Sequence, residues 1–359
     1  MKIRVLPIRR LAAEHVQAWS EIQLQQSEFE SPYFRPEYHQ LAGAVGRPVF
    51  VGILEQGGEP VGFFPFERGA FGTGHPVGRR LSDFHGAIVA TGTPWSGDEL
   101  LRACGLRRFC FQHLLAQQTP LLNQPTVAQP SPVADLAQGY AAYRAELKLR
   151  GQNELERTVK KGQKTQRDIG TVQFTFHDTS AAVWQACLQW KAAQYERTGA
   201  FDVFRYSWVS EFLQRIIACE SPHFAGCVSA LRVNEQIVAV HIGMRSSRVL
   251  HHWFPSHDPE HPCAKYSPGL QMLVGMLEGA AAAGLQRLDF GAGDYRYKRD
   301  FSTSSKEVVE GECGAGILPL AVGRTLQDTR QAIRRAAESG GLDAPVRWYR
   351  NMRDWLVMR

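Results

Sequence analysis

The sequence has no stretch approaching the ~20 uninterrupted apolar residues that a membrane-spanning helix requires. It also has no C-x-x-C pair: its cysteines, at positions 104, 110, 187, 219, 227, 263 and 313, are odd in number and scattered. That excludes a zinc knuckle and fits reduced thiols better than a disulfide frame. A secretory signal is missing as well, because the basic N-terminus MKIRVLPIRRLAAEHVQAW breaks its apolar run after three residues. A cytoplasmic location is the expectation. Charge of one sign is scarce. A net +6 over 359 residues favours anionic ligands, such as phosphorylated cofactors or a membrane face, without indicating nucleic-acid binding. No short-period repeat is visible. What remains is an ordinary globular composition, 44% hydrophobic and 21% charged, on a chain long enough for two domains with full cores.

The first half alternates strands with loops. RPVFVGILEQGGEPVGFFPFERG predicts a hairpin, with strands at Val49–Leu54 and Val61–Phe66 joined by EQGGEP. The Pro- and Gln-rich run after Ala116 reads as a connecting segment with room for one strand. Tyr140 to Asp168 predicts helix and carries the main charge run, either a solvated face or a phosphate-facing edge. Strand Val172–His177, helices Ala181–Arg197 and Trp208–Ala218, and strands QIVAVHIGMRS and RVLHHWFP follow. Strands joined by helices give an α/β (α+β) class.

Between His261 and Phe301, Leu270, Leu273, Val274, Met276 and Leu277 recur at helical spacing and an alanine run leads to Gly284. Arg287–Phe290 reads as a strand ending in the turn of Gly291 and Gly293. A turn at Ser267–Gly269 leaves the first amides of that helix as an anion site, or else as a simple serine cap.

Candidate chemistry sits in four places. In IVAVHIGM, alternation puts Val238, Val240, Ile242 and Met244 on one face of a strand and Ile237, Ala239, His241 and Gly243 on the other. His241 between small residues is either a general base or a hydrogen-bonded core histidine. LSDFHG offers Asp83 and His85 as same-side neighbours, a substrate-orienting pair or a turn cap. Lys298, after the glycine turn, can neutralise phosphate or an oxyanion, or lie on the surface. HHWFPSHDPEHPC concentrates His251, His252, His257, Asp258, His261 and Cys263, but His251 and His252 face opposite ways and the rest lack ligand periodicity, so no metal is expected. GAGD follows a strand but opens no Rossmann helix.

Several runs, in order, resemble a known family. SPYFRPEYHQL, VGFFPFERG, LSDFHG, WKAAQYERTGAFDVF, AVHIGMRS, YSPGLQML and LDFGAGDYRYKRDF are similar to the CelD-like acyltransferases of the GNAT superfamily, relatives of the Fem peptidoglycan aminoacyltransferases. The resemblance implies two tandem GNAT-like halves, each a mixed, mostly antiparallel sheet flanked by helices. It divides the chain into 1–139, a catalytic domain at 140–322 and a basic helical tail at 323–359. Tyr266, Ser267, Pro268, Gly269, Leu270 and Gln271 would then hold the pyrophosphate of acyl-CoA. KYSPGLQ departs from the standard glycine loop of GNAT enzymes, which leaves acyl-CoA, acyl carrier protein and aminoacyl-tRNA open as donors.

The implied reaction is attack of a neutral amine on a thioester, with His241 as base and Lys298 at the oxyanion. Asp83, His85, Tyr195, His252, Asp289 and Tyr297 would face the substrate. No permanent cofactor, no metal and no cysteine nucleophile is needed. The acceptor would be a small-molecule or lipid-linked amine from envelope, polysaccharide or lipid synthesis. Nucleic acid enters only if the donor is aminoacyl-tRNA. A non-catalytic scaffold in a synthase complex is the competing class. In the tail, Arg347, Arg350, Arg353 and Arg359 interleave with Trp348, Tyr349 and Trp355. That suits either a peripheral contact with the inner membrane face or a helix packed on the second domain.

Overall fold

The structure, a computed structural model, describes residues 1–314 and Met358. Strands β1 (Lys2–Pro7), β2 (Val49–Gln56), β3 (Glu59–Arg68), β4 (Thr73–His75), β5 (Ile88–Val89), β6 (Arg108–Leu115) and β7 (Val127–Asp135) come first. Then follow β8 (Val172–Thr175), β9 (Glu220–Ser221), β10 (Phe224–Val233), β11 (Gln236–Ser246), β12 (Val249–His257), β13 (Arg287–Asp289) and β14 (Ser304–Gly314). Helices α1 (Ala13–Leu24), α2 (Pro36–Ala44) and α3 (Gly97–Ala103) belong to the first half. Helices α4 (Tyr140–Leu149), α5 (Glu154–Asp168), α6 (Ala181–Thr198), α7 (Ser207–Ala218), α8 (Pro268–Ala282) and α9 (Arg296–Phe301) belong to the second.

The architecture is the expected mixed α/β one of two GNAT-like halves, but the halves share a single 14-stranded sheet. Its order is β1-β2-β3-β4-β6-β14-β7-β13-β12-β11-β10-β8, with β5 on β3 and β9 on β10. Most neighbours are antiparallel; β4–β6 in one half and β12–β13 in the other are parallel. The stitch is β14, which pairs with β6 on one side and β7 on the other. One face carries a core common to both halves, with Trp19, Tyr38 and Phe63 beside Phe212, Phe224 and Ile242 under α1, α2 and α7. On the other face two separate cores form: Leu100, Leu101 and Phe109 under α3, and Leu231, Met272, Met276 and Leu288 under α8. Burying apolar area at ~25 cal/mol per Å² on both faces holds the long sheet together.

Local chemistry explains where the elements depart from expectation. The first hairpin closes through Gly57 (φ 63) and Gly58 (φ 94), a tight turn that only glycine enters freely, so both strands run longer than expected. The Pro-rich connecting segment becomes β7, a central strand. Pro130 and Pro132 are tolerated because their carbonyls accept from the N–H groups of Gly293 and Phe290. The missing proline N–H groups therefore lie on the side away from the β14 ladder. The expected long helix over 140–168 is two, broken at Gly151 (φ 72). Strand β10 carries no alternation, being buried on both faces, and so escaped notice. On β11 the alternation holds from Val240 to Met244, but a bulge leaves Val238 opposite no residue of β10. This flips the strand's start: Val238 joins the core under α8 and Ile237 the shared core. Helix and tail expectations beyond residue 314 lie outside the described residues, apart from Met358, which is buried.

Candidate active site

Strands β12 and β13 pair in parallel at only three levels, Val249–Arg287, Leu250–Leu288 and His251–Asp289. Beyond them β12 continues to His257, while the other chain turns away at Gly291 (φ 71). Strands that part leave a wedge. A cleft of ≈ 740 Å³ occupies it, with Ser267, Gly269 and Leu270 at the α8 end and His252, Tyr297, Lys298 and Asp83 at the other. Seven of the residues singled out in the sequence thus line one cavity.

Where the strands part, β12 also bulges: His252 and Trp253 together oppose Gly243 of β11. The bulge frees the Trp253 N–H from the ladder, and His241 Nε2 accepts it at 3.1 Å. The His241 ring is fully buried and stacks on His252 at 5.1 Å between centroids. Burial, with the neighbouring charge of His251, lowers its pKa to about 3. The space beside His241 admits no ligand. A Cβ on Gly243 would stand 2.4 Å from the His241 ring, so that glycine makes room for the histidine itself. His241 accordingly holds the bulge and does not line the cleft; His252 lines it. Burial keeps His252 neutral too, and its Nε2 has no partner.

Asp83 and His85 diverge. Asp83 projects into the cleft, where it meets His251 Nε2 at 2.8 Å and His113 Nδ1 at 3.4 Å. Burial alone would raise its pKa; the hydrogen bond and charge of His251, then His113 and Lys298, outweigh it and bring the carboxyl to about 2. His85 instead turns inward. Its Nε2 accepts from the His113 N–H (3.2 Å), and burial keeps it neutral, so it braces the Asp83 loop rather than facing substrate. Asp289 is likewise buried behind His251. It accepts from the Gly291 N–H (2.8 Å) and from Ser131, and fixes the turn at which the strands part.

Lys298 is no surface lysine. Its Nζ is buried and donates to Gly291 O (3.0 Å) and Ala292 O (2.8 Å), holding the glycine turn in place. An ammonium has three donors, so one is left for the cleft. At the far end, Ser267 (φ 58) takes a left-handed conformation before Pro268. Ser267 O accepts from the Leu270 and Gln271 amides (3.0 and 3.2 Å), Pro268 has no N–H, and the Gly269 N–H meets no acceptor among the described residues. The amide site is therefore smaller than expected. Side chains add to it: Lys161 Nζ of the basic helix α5 lies 3.3 Å from Ser267 Oγ, and Arg197 lines the cleft opposite. Tyr266 and Gln271 point elsewhere, to Asp168 (2.6 Å) and to Thr165 (3.0 Å), tying α8 to α5.

Tyr195 lies in a second cleft of ≈ 440 Å³ with Gln112, His113 and Phe201, which shares the walls Asp83, Trp253 and Tyr295 with the first. Trp253, Arg197 and Lys191 carry no motif in the sequence, and His251 stands there only as a rejected metal ligand. Lys191 carried a readable signal: with Val183 and Cys187 it falls on the buried stripe of α6, where a charge is out of place. Among the described residues no cluster of three His, Cys, Asp or Glu is placed to hold a metal, and no helix is long and apolar enough to cross a membrane. Burial raises the thiols of Cys187 and Cys227 to about 12, far from a usable thiolate.

Residues 153–299, which include α5, α8 and the cleft residues other than Asp83, match the acetyltransferase (GNAT) domain family. The chain thus carries a GNAT acetyltransferase-type domain in its second half. No curated protein matches the sequence. Among solved structures, FemX superposes with a TM-score of 0.56 at 9% identity, covering 88% of this chain and 98% of that one. The C-terminal domain of a protein assigned as a lysylphosphatidylglycerol synthetase in Agrobacterium fabrum gives 0.54 at 12% identity, covering 89% and 96%. L-PGS from Bacillus licheniformis gives 0.50 at 11%, covering 85% and 93%. At such identities the likeness is one of fold.

Proposed function

We propose that the protein is an N-acyltransferase that moves an acyl group from acyl-CoA to an amine of an envelope, polysaccharide or lipid precursor. The parting of β12 and β13 carries this reading. It opens a cleft long enough for an extended thioester, with cationic and amide groups at one end and an anionic, aromatic meeting point at the other. Phosphates would lie against the Gly269 N–H, Lys161 and Arg197. The thioester would lie along the open edge of β12, its carbonyl near the spare Lys298 donor.

The amine would arrive through the second cleft, drawn as an ammonium to the Asp83 carboxylate. Once neutral it attacks the carbonyl carbon. The C–N bond forms, the C–S bond breaks, and the amine's proton passes through His252 Nε2 to the leaving thiolate. Burial leaves His252 unprotonated at physiological pH and makes it a weak base, so it would pass the proton on to the thiolate and not hold it. His241 supports the reaction by fixing the bulge on which His252 sits. The CelD-like runs of the sequence are what favour an envelope, polysaccharide or lipid-linked precursor as acceptor. Acyl carrier protein and, by the Fem relationship, aminoacyl-tRNA are the alternative donors.

Isothermal titration with CoA is the direct test, followed by an acyl-donor panel and mass spectrometry of copurifying ligands. Micromolar CoA binding that is weakened in Arg197→Ala supports the reading. Absence of CoA binding together with turnover on aminoacyl-tRNA overturns it.

A further inference from the structure

Two lysines line the cleft, and their surroundings differ. Lys298 is held by two backbone carbonyls; burial lowers its pKa, and the carboxylates of Asp83 and Asp289 oppose that by favouring its charged form. Lys191, on the inner stripe of α6, is 7% exposed. Among the described residues its hydrogen-bond partner is the neutral amide of Gln194, at 3.1 Å, and its Nζ lies 6.0 Å from the Tyr195 ring centroid.

The titratable groups that face Lys191 come from three elements: Cys187 and Tyr195 of its own helix, His241 of β11, and His252 and His257 of β12. None is an anion at neutral pH. Burial raises the thiol and the phenol and lowers the three imidazoles. A buried ammonium with no carboxylate to pair with loses hydration that nothing replaces.

We propose that Lys191 is itself an acyl-acceptor site, its uncharged ε-amine taking the acyl group from a thioester bound in the cleft. The Nζ–C bond forms as the C–S bond breaks; the proton displaced from nitrogen goes to the thiolate, leaving free thiol and a neutral Nε-acyl-lysine. No oxidant or further reactant is required. Burial brings Lys191 to about 8, so a useful fraction is amine in mildly alkaline solution, as a nucleophilic lysine requires. Acylation would remove a buried charge that meets no carboxylate among the described residues and extend an apolar arm toward Trp190 and Trp253, which line the same cleft. Donor without acceptor would thus mark, and narrow, the enzyme's own site.

The inference rests on the cleft being the thioester site, and two probes keep the questions apart. The full-length protein is incubated with acetyl-CoA or with the N-acetylcysteamine thioester, which needs no phosphate anchor, and digests are mapped by mass spectrometry. The expected result is one acetyl group on Lys191 and none on Lys298. Its rate should rise as pH is carried through about 8, and the peptide signal should be lost in Lys191→Arg. A folded protein that leaves Lys191 unlabelled with both thioesters overturns the inference, whatever the CoA titration shows. Labelling by the short thioester without CoA binding upholds Lys191 and overturns the CoA reading instead.

Discussion

His251 Nε2 lies 2.8 Å from a carboxylate oxygen of Asp83, joining a strand of the second half to a loop of the first across 168 positions of sequence. The ring sits edge-on to Tyr33 (4.9 Å between centroids), so the first half supplies both a charge to the second half's cleft and a packing partner for His251 behind it. The pair fixes where the carboxylate stands relative to Lys298, and several outcomes follow from it and its neighbours.

Replacing Asp83 by Asn removes a carboxylate whose folded-state pKa is about 2 against an ordinary 3.8. Such a depressed acid stabilises the fold above the unfolded value, and that stability is lost as pH falls from 3.8 toward 2. The linkage amounts to ~2 kcal/mol. In urea titrations at fixed pH, Asp83→Asn should be less stable than wild type at neutral pH and lose less on acidification between those values. Equal slopes would remove the His251–Asp83 pair from the account of the site.

Burial lowers both His39 and His241 to about 3, from an ordinary 6.5. The unfolded chain therefore binds protons that the folded chain refuses, and stability declines as pH drops through that window. Each ring contributes a slope of up to about 1.4 kcal/mol per pH unit. His39 packs between Trp19 and Tyr38, so His39→Phe should fold and show a flatter acid limb. The unchanged limb of a folded variant would mean that His39 is charged in place.

Because His241 is neutral and holds the Trp253 amide, His241→Ala should lower turnover without shifting any pKa of the pH–rate profile near neutrality. Gly243→Ala should act at the same point by a clash, since its Cβ would meet both the His241 ring and His251 O at 2.4 Å. Overpacking of this kind costs ~1–3 kcal/mol or more. A thermal melt equal to wild type for Gly243→Ala would contradict the packing described here.

Lys298→Met should cost stability as well as turnover, because two buried carbonyls lose their donor, at ~1–3 kcal/mol. A surface lysine would change stability by under ~0.5 kcal/mol. Chemical denaturation separates the two directly.

Gly269→Val should leave the fold intact, since a Cβ there meets nothing nearer than His257 Nδ1 at 3.6 Å. CoA affinity measured by titration should nonetheless fall, as the branched side chain projects into the cleft beside the residue's own amide. Wild-type affinity would move the phosphate site elsewhere.

Much of the second half was legible because its elements announce themselves locally. The α8 periodicity, the Gly284 stop, the short strand before Gly291 and the β11 alternation are near-neighbour effects that chain geometry and propensity dictate. The first hairpin was readable for the same reason. Glycine pairs and alternating apolar residues act over a few positions, and no distant contact overrides them.

Roles within the site were decided only by the tertiary structure, for reasons of register and burial. The sequence placed His241 beside small residues, but the β12 bulge turned it from a base into the acceptor for a backbone amide. Asp83 and His85 looked like partners two residues apart, yet one answers to His251 and the other to His113. Lys191 and Lys298 are both lysines near aromatic residues. Which one keeps its proton depends on carboxylates and carbonyls brought in from other strands. Charge in a protein is set by the solvent that folding removes and the partners it supplies. Neither is written in the spacing of residues along one segment.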